Sequence, residues 1–576
     1  MSPIALGLTP PHPTTFSLPE EVDDKIHPSA RRAPRGGLIK VESETTEYVD
    51  DVIKARFTDR GAEVTKDVGG KLRVNKTEKS YEFLTNTKVG RTGLMLVGLG
   101  GNNGTTVLAT NLANKHRISW MTKNGPQQPN YIGSLVRAST IRLGLNPETG
   151  KDVHVPISSM LPMVHPNDFV IGGWDISGLT MDRAMERAKV LEWDLQRQLA
   201  PIMEAFKPLP SIYYPDFIAA NQADRADNLI PGTDKAAHLQ HIRADIRNFK
   251  ASFELDNIIV LWTANTERYA DIIPGINDTA ENLLAAVKIS HDEVSPSTIF
   301  AIASILEGVP FINGSPQNTF VPGCIELAET HKAFIGGDDF KSGQTKVKSV
   351  LAEFLVSAGI KPLSISSYNH LGNNDGKNLS SQRQFRSKEI SKSSVVDDMV
   401  AANPILYKTA AVLNQESTSG EVFKKGEHPD HVVVIKHVPA VGDSKRAIDE
   451  YYSELLMGGR NVMNIFNECE DSLLATPLVF DLAILAELLT RVTYREVSPS
   501  GTLGEVKPLY SVLSLLSYML KAPLVKPGTD VVNSLSRQRN ALEMFLKACL
   551  GLDHQGDLLL HTRVWHEIDI AVVHSG

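Results

Sequence analysis

At 576 residues, 42% hydrophobic and 22% charged, the chain has the composition of an ordinary globular protein and the length for two to four domains with a large core. Its net charge of −8 excludes a nucleic-acid binder acting through overall charge, and its three cysteines (Cys324, Cys469, Cys549) are too few and too far apart for a disulfide framework or a zinc site. No apolar run suits a membrane span and the N-terminus lacks a secretory pattern, so a reducing, cytoplasmic setting with no membrane and no nucleic-acid partner is expected.

Residues 1–37 carry prolines at 3, 10, 11, 13, 19, 28 and 34, which predicts a disordered tail; its basic end, 31–35, reads as a solvated linker. Residues 38–90 alternate short apolar and polar runs, predicting strands and a short helix. The stretch that organises the chain comes next. Residues 92–97 (TGLMLV) read as a buried strand, Gly98-Leu99-Gly100-Gly101-Asn102-Asn103-Gly104 as a glycine loop, and 107–113 as a helix. Strand, glycine turn and helix form the setting of a dinucleotide-binding loop: glycines admit a pyrophosphate close to the backbone, and the helix N–H groups meet its charge. The spacing departs from G-x-G-x-x-G, because Asn103 holds the third glycine position and Gly104 follows it. No Asp or Glu lies between Gly104 and Glu148, so a ribose-binding acid must come from elsewhere; Asp175 is the nearest candidate. In a protein without a nucleotide the same glycines would serve packing alone.

Helical segments at about 180–205, 236–253, 277–290 and 296–307 alternate with strand-like runs at 168–173, 257–262 and 309–314, which predicts a doubly wound parallel sheet. Polar clusters follow these runs at 174–177, 263–267 and 313–318, with another at 221–225. Singly each is an ordinary turn or N-cap signal; together, at strand ends beside a glycine loop, they line a cleft. Residues 335–346 (IGGDDFKSGQTK) are glycine-rich and charged, either a second anion-holding turn or a surface loop, and a helix is expected over 347–358. Gln344 after Gly343 excludes a Walker loop. Residues 366–378 (SSYNHLGNNDGKN) read as an amide-dense functional loop. Lys388 and Lys392 lie one helical turn apart, the ordinary reading being a solvated face. The strand 432–435 leads to Gly442-Asp443-Ser444-Lys445, and Glu470-Asp471 leads into an apolar helix to about 491. Lys521 follows Tyr518-Met519-Leu520; it is either partly desolvated, which suits proton transfer, or snorkels to the surface. The residues alone describe an NAD-binding enzyme acting on a phosphorylated, hydroxylated substrate.

The glycine loop, NGSPQNTFVPG (313–323), GGDDFKSGQTK (336–346), SYNHLGNNDG (367–376), Gly442 to Lys445 and DSLLATP (471–477) resemble, in order over about 40–550, the inositol-3-phosphate synthases, also called myo-inositol-1-phosphate synthases, in their eukaryotic, fungal branch. The resemblance implies an α/β fold: a Rossmann-type doubly wound parallel sheet domain plus a mixed α/β catalytic and tetramerisation domain. It divides the chain into the tail (1–37), an NAD domain (38–345), a catalytic and tetramerisation domain (346–474) and a C-terminal segment completing the NAD domain (475–576). It implies cyclisation of D-glucose 6-phosphate to 1D-myo-inositol 3-phosphate, the first step of inositol and hence phospholipid biosynthesis. NAD oxidises C5 and returns the hydride after enolisation and aldol closure. A homotetramer, no divalent metal and an accessory monovalent cation are also implied.

By the same resemblance Lys388, Lys392, Lys445 and Lys521 are the active-site lysines, Lys521 and Lys388 nearest the C5 oxygen and the proton transfers, Lys392 and Lys445 holding phosphate and oxyanion. Asp339, Asn373, Asp375 and Asp471 join them as catalytic residues, and Asn369 lines the pocket. NAD is assigned to Gly98, Gly100, Gly101, Asn102, Asn103, Gly104, Asp175, Ser211, Gln222, Arg225, Ala264, Asn265, Thr266, Gly314 and Ser315. Its nicotinamide side is assigned to Asp339, Ser342, Asn373, Asn374, Asp375, Gly442, Asp443 and Asp471. Two other readings are a simple NAD-linked sugar-phosphate dehydrogenase, which would accumulate NADH, and a nucleotide-binding scaffold, which would have lost the lysines.

Overall fold

The centre of the protein is a six-stranded parallel sheet: β1 (Thr92–Val97), β2 (Val170–Asp175), β3 (Leu209–Pro210), β4 (Asn257–Trp262), β5 (Phe311–Asn313) and β6 (Ile335–Gly336). The computed structural model describes residues 26–33, 39–417 and 422–553. The spatial order 3-2-1-4-5-6 is that of a dinucleotide-binding α/β sheet, with the strand order reversing between β1 and β4. Every residue of β1 is buried, because helices cover both faces. Leu94 and Leu96 enter one core layer while Met95 and Val97 enter the other. That two-sided burial is why the strand reads as a continuous apolar run.

A second, mixed sheet has the order Asp430–His437, Lys361–Leu371, Ser444–Glu454, Arg460–Glu470. Four helices carry the chemistry: α1 (Asn102–His116), α2 (Gly343–Ser357), α3 (Gln382–Ser393) and α4 (Asp471–Thr490). α4 is long and apolar but is a core helix, packed against α1. The C-terminal segment returns to the parallel sheet through bridges from Ile335 to Val512 and from Phe340 to Leu520.

Three local expectations change. Residues 39–90, the described part of the expected 38–90, contain no helix; they form Thr46–Val49 and a hairpin of Val52–Lys66 with Leu72–Asn86, which Val492–Val497 extends. Much of 366–378 is regular structure rather than loop, because its amides are consumed inside: 366–371 lie in the strand Lys361–Leu371 and 374–378 in a short helix. Residues 26–33, assigned to a disordered tail, dock on the body. The Tyr131 amide donates to Ser29 Oγ (2.9 Å), Arg137 Nε donates to the Ser29 carbonyl (3.0 Å) and Arg32 pairs with Asp168 (2.6 Å). The rest of 1–37 and residues 554–576 lie outside the described residues.

Candidate active site

The cleft opens where the strand order reverses. Gly98 leaves β1 with φ of +97°, and a Cβ there would stand 2.7 Å from the Ala264 backbone that follows β4. The amides of Gly98 and Leu99 both donate to the Trp174 carbonyl, at 2.8 and 3.0 Å. Gly104, the displaced third glycine, sits in α1 where a side chain would run into the carbonyl oxygens of Leu99 and Gly98. The shifted spacing thus keeps the function of the third glycine, close packing of helix on turn. α1 starts at Gly101 with no side-chain cap, so its first N–H groups point at the cleft with the positive end of the helix dipole.

Asp175 ends β2. Its carboxylate accepts from the amides of Gly100 (2.9 Å) and Ser177 (2.8 Å). Burial raises its pKa, opposed by the Ser177 amide and by Arg225 and Arg187. Arg187 in turn donates to the Gly100 carbonyl at 2.8 Å. Arg225 lines the cleft, and its buried Nε has no partner among the described residues. A carboxylate with spare lone pairs, an orphaned guanidinium nitrogen and an uncapped helix start fit a ribose and a pyrophosphate, so the residues present suit a dinucleotide.

Across the cleft stands a closed set of charges. α3 turns a wholly polar stripe inward: Gln384, Ser387, Lys388, Ser391 and Lys392 are all buried. Lys388 and Lys392 are 8% and 1% exposed, so the solvated-face reading fails, and Lys521, 2% exposed, does not snorkel. Asp339 Oδ1 accepts from Lys388 (2.9 Å) and Lys521 (3.2 Å), while Oδ2 accepts from Ser391 Oγ (2.6 Å). Burial would raise the Asp339 pKa, but Lys388 and Lys521 outweigh it and hold the carboxyl well below its ordinary range. Burial would lower Lys388, but Asp339 and then Asp375 outweigh it, so Lys388 stays an ammonium. Lys521 has the opposite outcome: burial, with Lys388 and Lys445 nearby, outweighs Asp339 and brings it down to about 7. Lys392 donates to Gln344 Oε1 (3.1 Å) and Asn369 Oδ1 (3.0 Å), neither of them charged. Burial, aided by four neighbouring lysines, drives its pKa far down. Asp471 faces Lys445 (3.7 Å) and accepts from Asn373 Nδ2 (3.1 Å).

Most residues selected from the sequence meet in this one cleft. Gly98, Gly101, Asn102, Asn103, Asp175, Ser211, Arg225, Ala264, Asn265, Thr266, Gly314, Ser315, Asp339, Ser342, Asn373, Asn374, Asp375, Lys388, Lys445, Asp471 and Lys521 line it. Seven lie behind its wall, among them Asn369, expected to line the pocket but fully buried under Lys392. Gly100 and Gly104 shape the turn, and Gly442 takes φ of +64° beside Asp443. Asp443 accepts from Asn102 Nδ2 and from Ser472 Oγ, both at 2.9 Å, tying the glycine loop to the start of α4; burial pushes it up to about 6. Gln222 is fully buried and accepts from Asn265 (3.0 Å) and Asn374 (2.9 Å). Lys392 sits deeper than the cleft surface, on Gln344 and Asn369. The sequence reading missed Gln344, Ser391 and Ser472, whereas Glu267, in the cluster 263–267 expected at the cleft, does line it. Ser391 carried a signal, since it lies three residues from Lys388 on the same helix face.

Sheet order, glycine turn and charged cleft define a dinucleotide-binding α/β enzyme. Residues 92–547 match the family described as Myo-inositol-1-phosphate synthase. The inositol-3-phosphate synthase of Saccharomyces cerevisiae is 54% identical, over 91% of this chain and 98% of its own length. Inositol-3-phosphate synthase 1 of Homo sapiens is 56% identical, over 91% and 90%. The crystal structure of the Caenorhabditis elegans inositol-3-phosphate synthase superposes with a TM-score of 0.85 at 53% identity, over 91% of this chain and 98% of that one. A myo-inositol-1-phosphate synthase-related protein from Thermotoga maritima shares the fold at 16% identity and a TM-score of 0.55. The chain belongs to the myo-inositol-1-phosphate synthase family.

Proposed function

We propose that this chain converts D-glucose 6-phosphate to 1D-myo-inositol 3-phosphate with NAD held at the glycine loop. The observation that carries the reading is that Lys388, Lys445 and Lys521, with the carboxylates of Asp339, Asp375 and Asp471, line in a family member the same cleft that the glycine loop opens, with Lys392 just behind them. NAD supplies hydride chemistry, accepting at C5 and returning at the end. This chain's own residues do the rest. With C5 a carbonyl, the C6 protons are acidic, and removing one needs a neutral base beside a fixed cation. Lys521, with a pKa near 7, is that base. Lys388 keeps its proton against Asp339 and donates to the C5 oxygen as charge builds there. C6 then bonds to C1, whose oxygen takes up a proton. Lys445 and Lys392 face that oxyanion and the phosphate, and a dianion beside Lys392 draws a proton onto it.

The reading extends to a homotetramer in the cytoplasm. On the mixed sheet Val434, Tyr368, Ile448 and Phe466 lie in one row across all four strands, on the face opposite Lys445, and such an apolar row on an otherwise polar face suits a second copy. The three free cysteines fit a reducing compartment. An accessory monovalent cation rests on the resemblance alone.

The test is to incubate the protein with glucose 6-phosphate and sub-stoichiometric NAD, following the sugar by phosphorus NMR and the cofactor at 340 nm. Inositol phosphate accumulating far beyond the NAD supplied, without matching NADH, is the expected outcome. NADH rising in step with an oxidised sugar makes the chain a dehydrogenase. Neither change, with NAD bound, makes it a scaffold.

A further inference from the structure

Beneath the cleft lies a buried carboxylate that none of the steps above uses. Ser367, in the strand Lys361–Leu371, and Asp449, in the strand Ser444–Glu454, are register partners, so their side chains stand side by side on one face of the mixed sheet. Asn369 and Lys445 continue that face toward the cleft, which Lys445 lines. Gln344, at the start of α2, reaches this row. Its Nε2 donates to both oxygens of Asp449 (2.9 Å each) and to Ser367 Oγ (3.0 Å). An ionised carboxylate only accepts, whereas a hydroxyl accepts or donates, so Asp449 selects which end of the Gln344 amide faces it. Oε1 is thereby left to Lys392, which donates to it at 3.1 Å. Asn369 is set likewise: its Nδ2 donates to the Val434 carbonyl (3.2 Å), and its Oδ1 accepts from Lys392 (3.0 Å). Gln344, Ser367, Asn369, Lys392 and Asp449 are all buried.

We infer that Asp449 is a positioning residue for Lys392: by locking the Gln344 amide it keeps two carbonyl oxygens on the lysine and leaves the third position of its nitrogen to the substrate phosphate. This role rests on the assignment of Lys392 to phosphate or oxyanion made above. Two N–H groups go to Gln344 Oε1 and Asn369 Oδ1 whether the nitrogen is an amine or an ammonium. The third position, a lone pair or an N–H, has no partner among the described residues. Turned end for end, the Gln344 amide would set Nε2 against Lys392, donor against donor. The interposed amide matters as much as the carboxylate. In direct contact, Asp339 holds Lys388 as a paired ammonium. Asp449, one amide removed, orients Lys392 without pairing with it. Its own charge is met by Lys348, one turn along α2 from Gln344, whose ammonium it favours against burial. Lys348 in turn donates to His431 Nε2 (2.8 Å), and His431 Nδ1 donates to the Ser393 carbonyl (3.1 Å) at the end of α3.

The test measures glucose 6-phosphate binding by calorimetry to the full-length, NADH-loaded protein, in which no hydride can leave the sugar. Asp449→Asn keeps the shape but can accept or donate, so nothing then selects the Gln344 orientation. It should weaken glucose 6-phosphate by about tenfold, the worth of one hydrogen bond to a charged group, and leave NADH affinity within about twofold. Charge alone gives the opposite sign, since deleting a buried negative charge near the phosphate favours an anion. Ser367→Ala removes the indifferent acceptor and should change binding by less than about twofold. On top of Lys392→Met, Asp449→Asn should have no further effect, because the lysine through which it acts is gone. Unchanged or tighter binding in Asp449→Asn, an equal loss in Ser367→Ala, or the full tenfold loss on top of Lys392→Met would overturn the positioning role and leave the proposed reaction standing. Glucose 6-phosphate failing to bind the unmodified protein would overturn both. Should Asp449→Asn fail to fold, Gln344→Met, which deletes the transmitting amide, takes its place, with the same expected loss and the same lack of effect on top of Lys392→Met.

Discussion

Asp339 sets two lysines to opposite tasks. It touches both Lys388 and Lys521, yet only Lys388 is held as an ammonium, because Asp375 and Asp471 add to its stabilisation while Lys521 feels two cationic neighbours. A pair of groups whose environments push their pKa values apart marks an acid and a base. The sign for catalysis follows. Lys521 works when deprotonated, so kcat/KM should rise as pH passes upward through about 7. Lys521→Arg, which cannot deprotonate, should lose about 10² to 10⁴ in rate and lose that limb of the profile. A variant that keeps both would remove Lys521 from proton transfer. Lys392 gives a separate test. Burial among lysines drives its pKa far down, and a phosphate dianion beside it pushes the pKa back up. Binding of glucose 6-phosphate to the NAD-loaded protein at pH 8 should therefore take up about one proton, read as calorimetric enthalpies that differ between Tris and HEPES. Lys392→Met should abolish most of the difference. Equal enthalpies in both buffers for the unmodified protein would mean that the lysines are already charged.

The strand, turn and helix around the glycine loop were legible because each obeys a local rule: a buried strand, φ above zero at Gly98, an uncapped helix start. The irregular spacing was legible only as a departure, and its reason is tertiary: the residue at 104 faces the carbonyl oxygens of Leu99 and Gly98. Gly104→Ala should thus cost at least about 2 kcal/mol in thermal stability and weaken NAD tenfold or more by fluorescence titration. The double change Asn103→Gly with Gly104→Ala, which restores the standard glycine spacing, should not rescue either. Rescue would show that spacing and not contact governs the turn. Other elements were illegible for a related reason. α3 buries a polar face, so no apolar period announces it, and its lysines look solvated until Asp339, Gln344 and Asn369 arrive from distant parts of the chain. The amide-rich stretch looked like a loop because strand propensity is weak in Ser and Asn, yet Lys361–Leu371 gains its order from strands on both sides. Residues 26–33 looked like a tail because their partners Tyr131, Arg137 and Asp168 lie over a hundred positions away.

At the scale of the molecule the two sheets are finished differently. Helices close both faces of the parallel sheet, whereas the mixed sheet has one face in the protein and one outside. The strand Ser444–Glu454 shows the division within itself. Lys445, Ala447, Asp449 and Tyr451 are buried toward the cleft and α2, while Ile448 points out at 44% exposure. The outward positions on either side, Arg446, Glu450, Asn464 and Glu468, are exposed and polar, as on a solvated face. Here the row through Ile448 continues to Phe466, 61% exposed, and to Tyr368 and Val434. In the proposed tetramer a second copy covers this row, and each Phe466 buried there contributes about 2 kcal/mol. Phe466→Glu combined with Ile448→Glu replaces that gain with carboxylates that must be desolvated. Light scattering at micromolar concentration should then report dimers or monomers in place of the tetramer. NAD affinity should be retained, because the substituted side chains face away from the cleft. Should the doubly substituted protein remain the same size as the unmodified one, this face is not the interface. The apolar row would then need a different occupant.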